Sequence, residues 1–67
     1  MIKIRFTRQY GGVGDKSVKI LHSDEWVPKR YITNMAENGS IPQEVEAEVP
    51  TWLYKKVSDL RNVKLVE

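Results

Sequence analysis

Sixty-seven residues make one small domain, 1–67, of a size that buries only about 60% of its unfolded surface. The chain has no cysteine, which excludes disulfide staples and thiolate zinc sites, and no apolar run approaches the ~18 residues of a membrane span. Eleven Lys/Arg against nine Asp/Glu leave a net charge of +2, too near balance to single out nucleic acid as the partner.

The first segment, "MIKIRFTR", alternates cleanly: Ile2, Ile4 and Phe6 fall on one face, Lys3, Arg5 and Thr7 on the other. Period two with β-branched and aromatic residues predicts a half-buried strand. No secretory signal is read ahead of it, and with the cysteine-free composition this predicts a cytoplasmic setting. "QYGGVGDK" breaks the alternation with three glycines and "SVKILH" resumes an extended run, so the two strands form a hairpin with a flexible tip. "HSD" is a turn, and "EWVP" a third short strand that Pro28 ends because it has no N–H for a ladder.

"KRYITNMAENGSIP" is the least regular section; Tyr31, Ile32 and Met35 fit one helical turn before Asn38-Gly39 bends the chain. "QEVEAEV" alternates again, with Val45, Ala47 and Val49 inward and Glu44, Glu46 and Glu48 outward. Pro50 suits the first turn of a helix, where its missing N–H costs nothing. "TWLYKKVSDL" then sets Leu53, Val57 and Leu60 on one stripe, with Trp52 and Tyr54 at its edges. Arg61 and Asn62 fit a C-terminal cap, and "VKLVE" a last strand. Together these elements predict an α+β domain: a small curled antiparallel sheet of four to five strands, open-barrel-like, with one C-terminal helix. In so short a chain Trp26 and Trp52 are expected mainly in the core, and Tyr10, Tyr31 and Tyr54 are the aromatics expected to show a ring or hydroxyl to solvent.

"GVGDKS", residues 12–17, invites comparison with a phosphate-binding loop. That motif needs Gly-Lys-Ser/Thr in succession and a following helix, whereas here Asp15 precedes Lys16 and a strand-like run follows. A hairpin tip is the better reading. His22, the single histidine, sits beside Ser23 and Asp24, but neighbours on a turn point apart and do not build a nucleophilic triad. No catalytic set, metal site or cofactor is expected, and the chain reads as a non-enzyme.

Glu44, Glu46 and Glu48 form an acidic rung, and Lys3 and Arg5, with Lys19, a basic one. Either rung would serve a ligand, the acidic one by mimicking a phosphate backbone and the basic one by binding it. The preferred reading is that they meet across neighbouring strands, where opposite charges contribute roughly 0.2–1 kcal/mol per pair. The remaining cations sit beside aromatic residues: Lys29, Arg30 and Tyr31 after the proline, and Tyr54, Lys55 and Lys56 on the helix. These six are the candidate binding residues. Mixtures of this kind serve single-stranded nucleic acid, with bases on rings and phosphates on cations, and protein interfaces are enriched in Trp, Tyr and Arg.

The order "SVKI", "EWVPKRYI", a glutamate- and valine-rich strand, then "VPTWL" and lysines resembles a group of small, mostly uncharacterised phage and prophage proteins. In these a Trp-x-Pro-Lys segment is followed by a Val-Pro-x-Trp-Leu helix start. The likeness covers residues 17 to about 60 and implies a phage or mobile-element origin and a small β-rich fold. Pro28, Tyr31 and Ile32 also resemble the strand end of Src-homology-3-type domains, which lines a proline-peptide groove; that family's acidic loop and N-terminal aromatic motif are not evident here. The expected function is that of a phage accessory protein in the host cytoplasm, binding and modulating a host macromolecule, most simply a protein. The alternative is a single-stranded nucleic-acid binder using Lys29, Arg30, Tyr31, Lys55 and Lys56. No membrane partner is expected.

Overall fold

The computed structural model describes residues 1–10, Tyr10 by its backbone alone, and residues 16–66. Among these lie β1 (Ile2–Tyr10), β2 (Ser17–Ile20), β3 (Trp26–Pro28), β4 (Glu44–Val49) and β5 (Lys64–Leu65). A 3-10 turn spans Lys29–Tyr31 and one helix, α1, spans Thr51–Val57. The result is an α+β domain: a five-stranded antiparallel sheet, not closed, with a helix near the C-terminus.

β1 is the spine of the sheet. One of its edges pairs with β4 from Ile2 to Thr7. The other edge is divided end to end, β5 taking Ile4 and Arg5, and β2 taking Arg8 and Tyr10. Val66 donates its N–H to the Lys3 carbonyl and Leu21 to that of Thr7, each at 2.9 Å, along this divided edge. A shift of register between Arg8 and Tyr10 supplies the extra local twist with which one strand serves two sets of partners. β3 then adds to β2, with Val18 opposite Val27.

The alternation read in the sequence sets the core. Ile4 and Phe6 of β1, Val18 and Ile20 of β2, Val27 of β3 and Val45, Ala47 and Val49 of β4 are all fully buried. Leu53 and Val57 of α1, with Ile41 and Val63 from the connections, complete the cluster. Every member except Phe6 is aliphatic.

The tryptophans are not in it, contrary to expectation. Trp26 is 46% exposed and Trp52 57%. Val27 occupies the inward phase of β3, so alternation turns Trp26 outward. On α1 the inner stripe belongs to Leu53 and Val57, and Trp52 stands about 100° around the helix from Leu53.

Three local expectations are also corrected. Pro50 sits at the N-cap rather than inside the first turn, with extended φ/ψ of −68° and 160°. Its carbonyl accepts the N–H groups of Leu53 and Tyr54, at 3.1 and 3.0 Å. The helix ends at Val57, with Ser58 as C-cap, so Arg61 and Asn62 do not cap it. Instead Asn62 donates from its amide nitrogen to the Leu21 carbonyl at 2.9 Å and ties the C-terminal segment to the β2–β3 turn. Leu60 still packs on the core, as the stripe predicted. Lastly, the helical turn expected near Tyr31, Ile32 and Met35 falls earlier, at Lys29–Tyr31, and Ile32 is extended, bridging to Ala47.

That bridge covers the outer edge of β4. Thr33 donates its N–H to the Glu46 carbonyl at 2.8 Å. The Asn34 side chain then imitates a strand: its amide nitrogen donates to the Glu44 carbonyl at 3.0 Å and its amide oxygen accepts the Glu46 N–H at 2.9 Å.

Candidate functional site

The acidic and basic rungs meet. Register places Lys3 opposite Glu48, Arg5 opposite Glu46 and Thr7 opposite Glu44. Glu46 lies 3.6 Å from the Lys3 ammonium and 3.5 Å from the Arg5 guanidinium, and the Thr7 hydroxyl donates to Glu44 at 2.7 Å. Lys19 turns to Asp24 instead, at 3.9 Å. These are partly exposed pairs, so each contributes at most about 1 kcal/mol. Their main effect is on register, since a one-residue slip would turn the glutamates inward.

The six expected binding residues divide into two groups. Pro28 ends β3, and the chain folds into the 3-10 turn closed by the Ile32 N–H on the Lys29 carbonyl at 3.0 Å. This turn packs against β4. Within it Arg30 is exposed, while Lys29 and Tyr31 are half-buried. The Arg30 guanidinium lies 5.0 Å from the centre of the Tyr31 ring and donates to the Tyr31 hydroxyl at 3.1 Å. Such a cation–π contact at an exposed site contributes about 0.5–1 kcal/mol and holds the arginine against the ring.

Tyr54, Lys55 and Lys56 do not share a face. Consecutive helical residues are turned by about 100°, so the three spread around α1. Tyr54 is half-buried against the core, and Lys55 points to solvent. Lys56 reaches Glu25, with 4.0 Å between ammonium and carboxylate. This contact sets the Lys56 side chain near Glu25, the residue before Trp26.

The exposed tryptophans are the binding candidates that composition concealed. Counting alternate residues along β3 and turning the helical wheel of α1 are the signals that reveal them. Met35 and Leu65 are also exposed large apolar side chains.

The remaining sequence motifs fall, where described, on a strand start and a turn. Residues 12–15 of "GVGDKS" lie outside the described residues, and Ser17 opens a strand rather than a helix. β1 and β2 pair antiparallel, and residues 11–15, expected as the hairpin tip, likewise lie outside the described residues. His22 is exposed, with φ of 60°, a left-handed conformation in which histidine is enriched among non-glycine residues. The Ser23 hydroxyl donates to the Ile20 carbonyl at 3.0 Å and accepts the Glu25 N–H at 3.2 Å, so it serves the turn rather than His22. Among the described residues no group of three His, Cys, Asp or Glu side chains is placed to hold a metal ion. No helix among them is long and apolar enough to cross a membrane.

Two hollows adjoin at Arg61 and Asn62. One, of about 300 Å³, is polar and lies beside Arg5 and Lys64; the other, of about 510 Å³, lies beside Leu21, His22 and Leu60. In comparisons with known proteins, no family model, no curated protein and no solved structure matches the chain.

Proposed function

We propose that the chain is a non-enzymatic binding module that engages a protein partner through Trp26 and Trp52 and the basic residues beside them. The observation that carries this reading is that the core closes without either tryptophan, leaving both rings about half in solvent. Large aromatic side chains flanked by cations are the residue types that dominate binding energy at protein interfaces. The likeness to phage proteins supplies the setting: an accessory protein in the host cytoplasm that binds and modulates a host protein. Single-stranded nucleic acid on Lys29, Arg30, Tyr31, Lys55 and Lys56 ranks second, because Arg30 is held on Tyr31 and Lys56 faces Glu25.

The test is affinity capture from host lysate at physiological salt, comparing the domain with a Trp26→Ser/Trp52→Ser variant. A protein recovered with the first and lost with the second, the variant remaining folded by circular dichroism, supports the proposal. Recovery of no protein, or equal recovery with both, removes it.

A further inference from the structure

We propose that the two adjoining hollows beside β5 bind a nucleoside phosphate, with the phosphate between Arg5, Arg61 and Lys64 and the base in the larger hollow. This site is separate from the tryptophans and goes beyond the protein-binding reading.

Charge placement is the starting point. Arg5 and Lys64 are direct partners in the β1–β5 ladder, so their side chains stand on the same face. Like charges directly opposite one another destabilise a sheet, and elsewhere β1 avoids this by facing glutamates. Arg61 lines the same hollow and adds a third cation. Neither Arg61 nor Lys64 has an ion pair or side-chain hydrogen bond among the described residues. Arg5 has only its 3.5 Å contact with Glu46, which Lys3 also approaches. The one carboxylate lining the hollow, Glu44, already accepts the Thr7 hydroxyl. Arg5, Arg61 and Lys64, against Glu44 in the lining and Glu46, which Lys3 shares, leave an excess of positive charge around a hollow of about 300 Å³. A phosphate dianion relieves that excess and offers oxygens for the forked guanidinium groups.

The neighbouring hollow gives the ligand its second half and its direction. It shares Arg61 and Asn62 with the first, and Leu21 and Leu60 supply apolar walls beside the exposed His22 ring. A nucleobase is flat, partly apolar and able to stack on an imidazole. Asp59, on the rim of this hollow, repels phosphate and accepts hydrogen bonds from base or sugar. Phosphate is thereby directed to the Arg5 end. Asn62 is fixed at the junction by its bond to the Leu21 carbonyl, so the two halves keep a set spacing.

The ligand is a free nucleotide or one unit of a single strand, and these sources are separable. At low salt, uridine 5′-monophosphate, inorganic phosphate and a uridine tetranucleotide are each titrated into the protein and followed by backbone amide NMR. The mononucleotide is expected to shift Arg5, Arg61 and Lys64 together with Leu21, His22 and Leu60, saturably, and to bind about tenfold tighter than inorganic phosphate. Tighter binding of the tetranucleotide assigns the site to a strand, and equal binding to a free nucleotide. Arg61→Ala and Lys64→Gln each weaken binding about tenfold, the loss of one charge-assisted contact. Lys64→Glu abolishes it while raising Tm, because it ends the opposition to Arg5. The absence of saturable shifts with either nucleotide, shifts confined to Lys29, Arg30 and Lys55, or unchanged affinity in the Lys64 variants would overturn the proposal. So would inorganic phosphate binding as tightly as the mononucleotide.

Discussion

The two edges of β1 carry their charges differently. Toward β4, Lys3 and Arg5 look across at Glu48 and Glu46; toward β5, Arg5 looks across at Lys64. The same arginine thus stands between a partner that attracts it and one that repels it. The first edge is arranged for folding, with opposite charges holding the register of six consecutive pairs. The β5 stretch of the second has only two pairs in its ladder and leaves cations facing a hollow. A strand edge that ignores charge complementarity, next to one that obeys it, points to a role other than stability.

Substitutions that separate the shared core from the two edges sharpen this contrast. The largest effect is expected at Phe6, fully buried on the inner face that both edges depend on. Phe6→Ala should cost about 3–5 kcal/mol. A domain this size has on the order of a few kcal/mol to lose, so amide NMR should show an unfolded chain at 25 °C. Asn34→Ala comes next: it removes the donor to Glu44 and strands the Glu46 N–H, at a cost of about 1–2 kcal/mol. Urea denaturation should show a lower midpoint with an unchanged slope.

Smaller effects follow from reversing charge on each edge. Glu46→Lys makes the β4 edge resemble the β5 edge, and should cost no more than about 1 kcal/mol, since the group is partly exposed. Lys64→Glu does the converse and should stabilise by about 0.2–0.5 kcal/mol. Both changes should shrink at high salt. Destabilisation by both reversals alike would break the contrast between the edges.

Most of the sheet was legible in the sequence because period-two alternation is a property of neighbours. The phases of Ile2, Ile4 and Phe6 and of Val45, Ala47 and Val49 correctly set the core faces, and the glutamate and lysine rungs meet as that phasing implied. The tryptophans depart from the general preference of large aromatics for cores because the local alternation places Val27 inside and the inner stripe of α1 belongs to Leu53 and Val57. The helix is shorter than its apolar stripe, since Leu60 continues that stripe after the helical backbone has ended at Val57. The hollow beside Lys64 had no sequence signal. It depends on where a two-residue strand lands on β1, and a pattern that short leaves the register open. The strand-like role of Asn34 was hidden for a related reason, as its partners lie ten and twelve residues away in an irregular stretch.

That asparagine has a consequence for how the molecule behaves in a crowd. An open strand invites a second chain to add to it, and β4, with its alternating valines, would be an apt template. The sheet among the described residues ends on β3, three residues long, and on β4, where Thr33 and Asn34 occupy the Glu44 and Glu46 carbonyls and the Glu46 N–H of the outer edge. β3 finishes in Pro28, which has no N–H to offer an incoming strand. The Asn34 amide shares the covering of the β4 edge with Ile32 and Thr33, and its loss should show as earlier precipitation at high protein concentration.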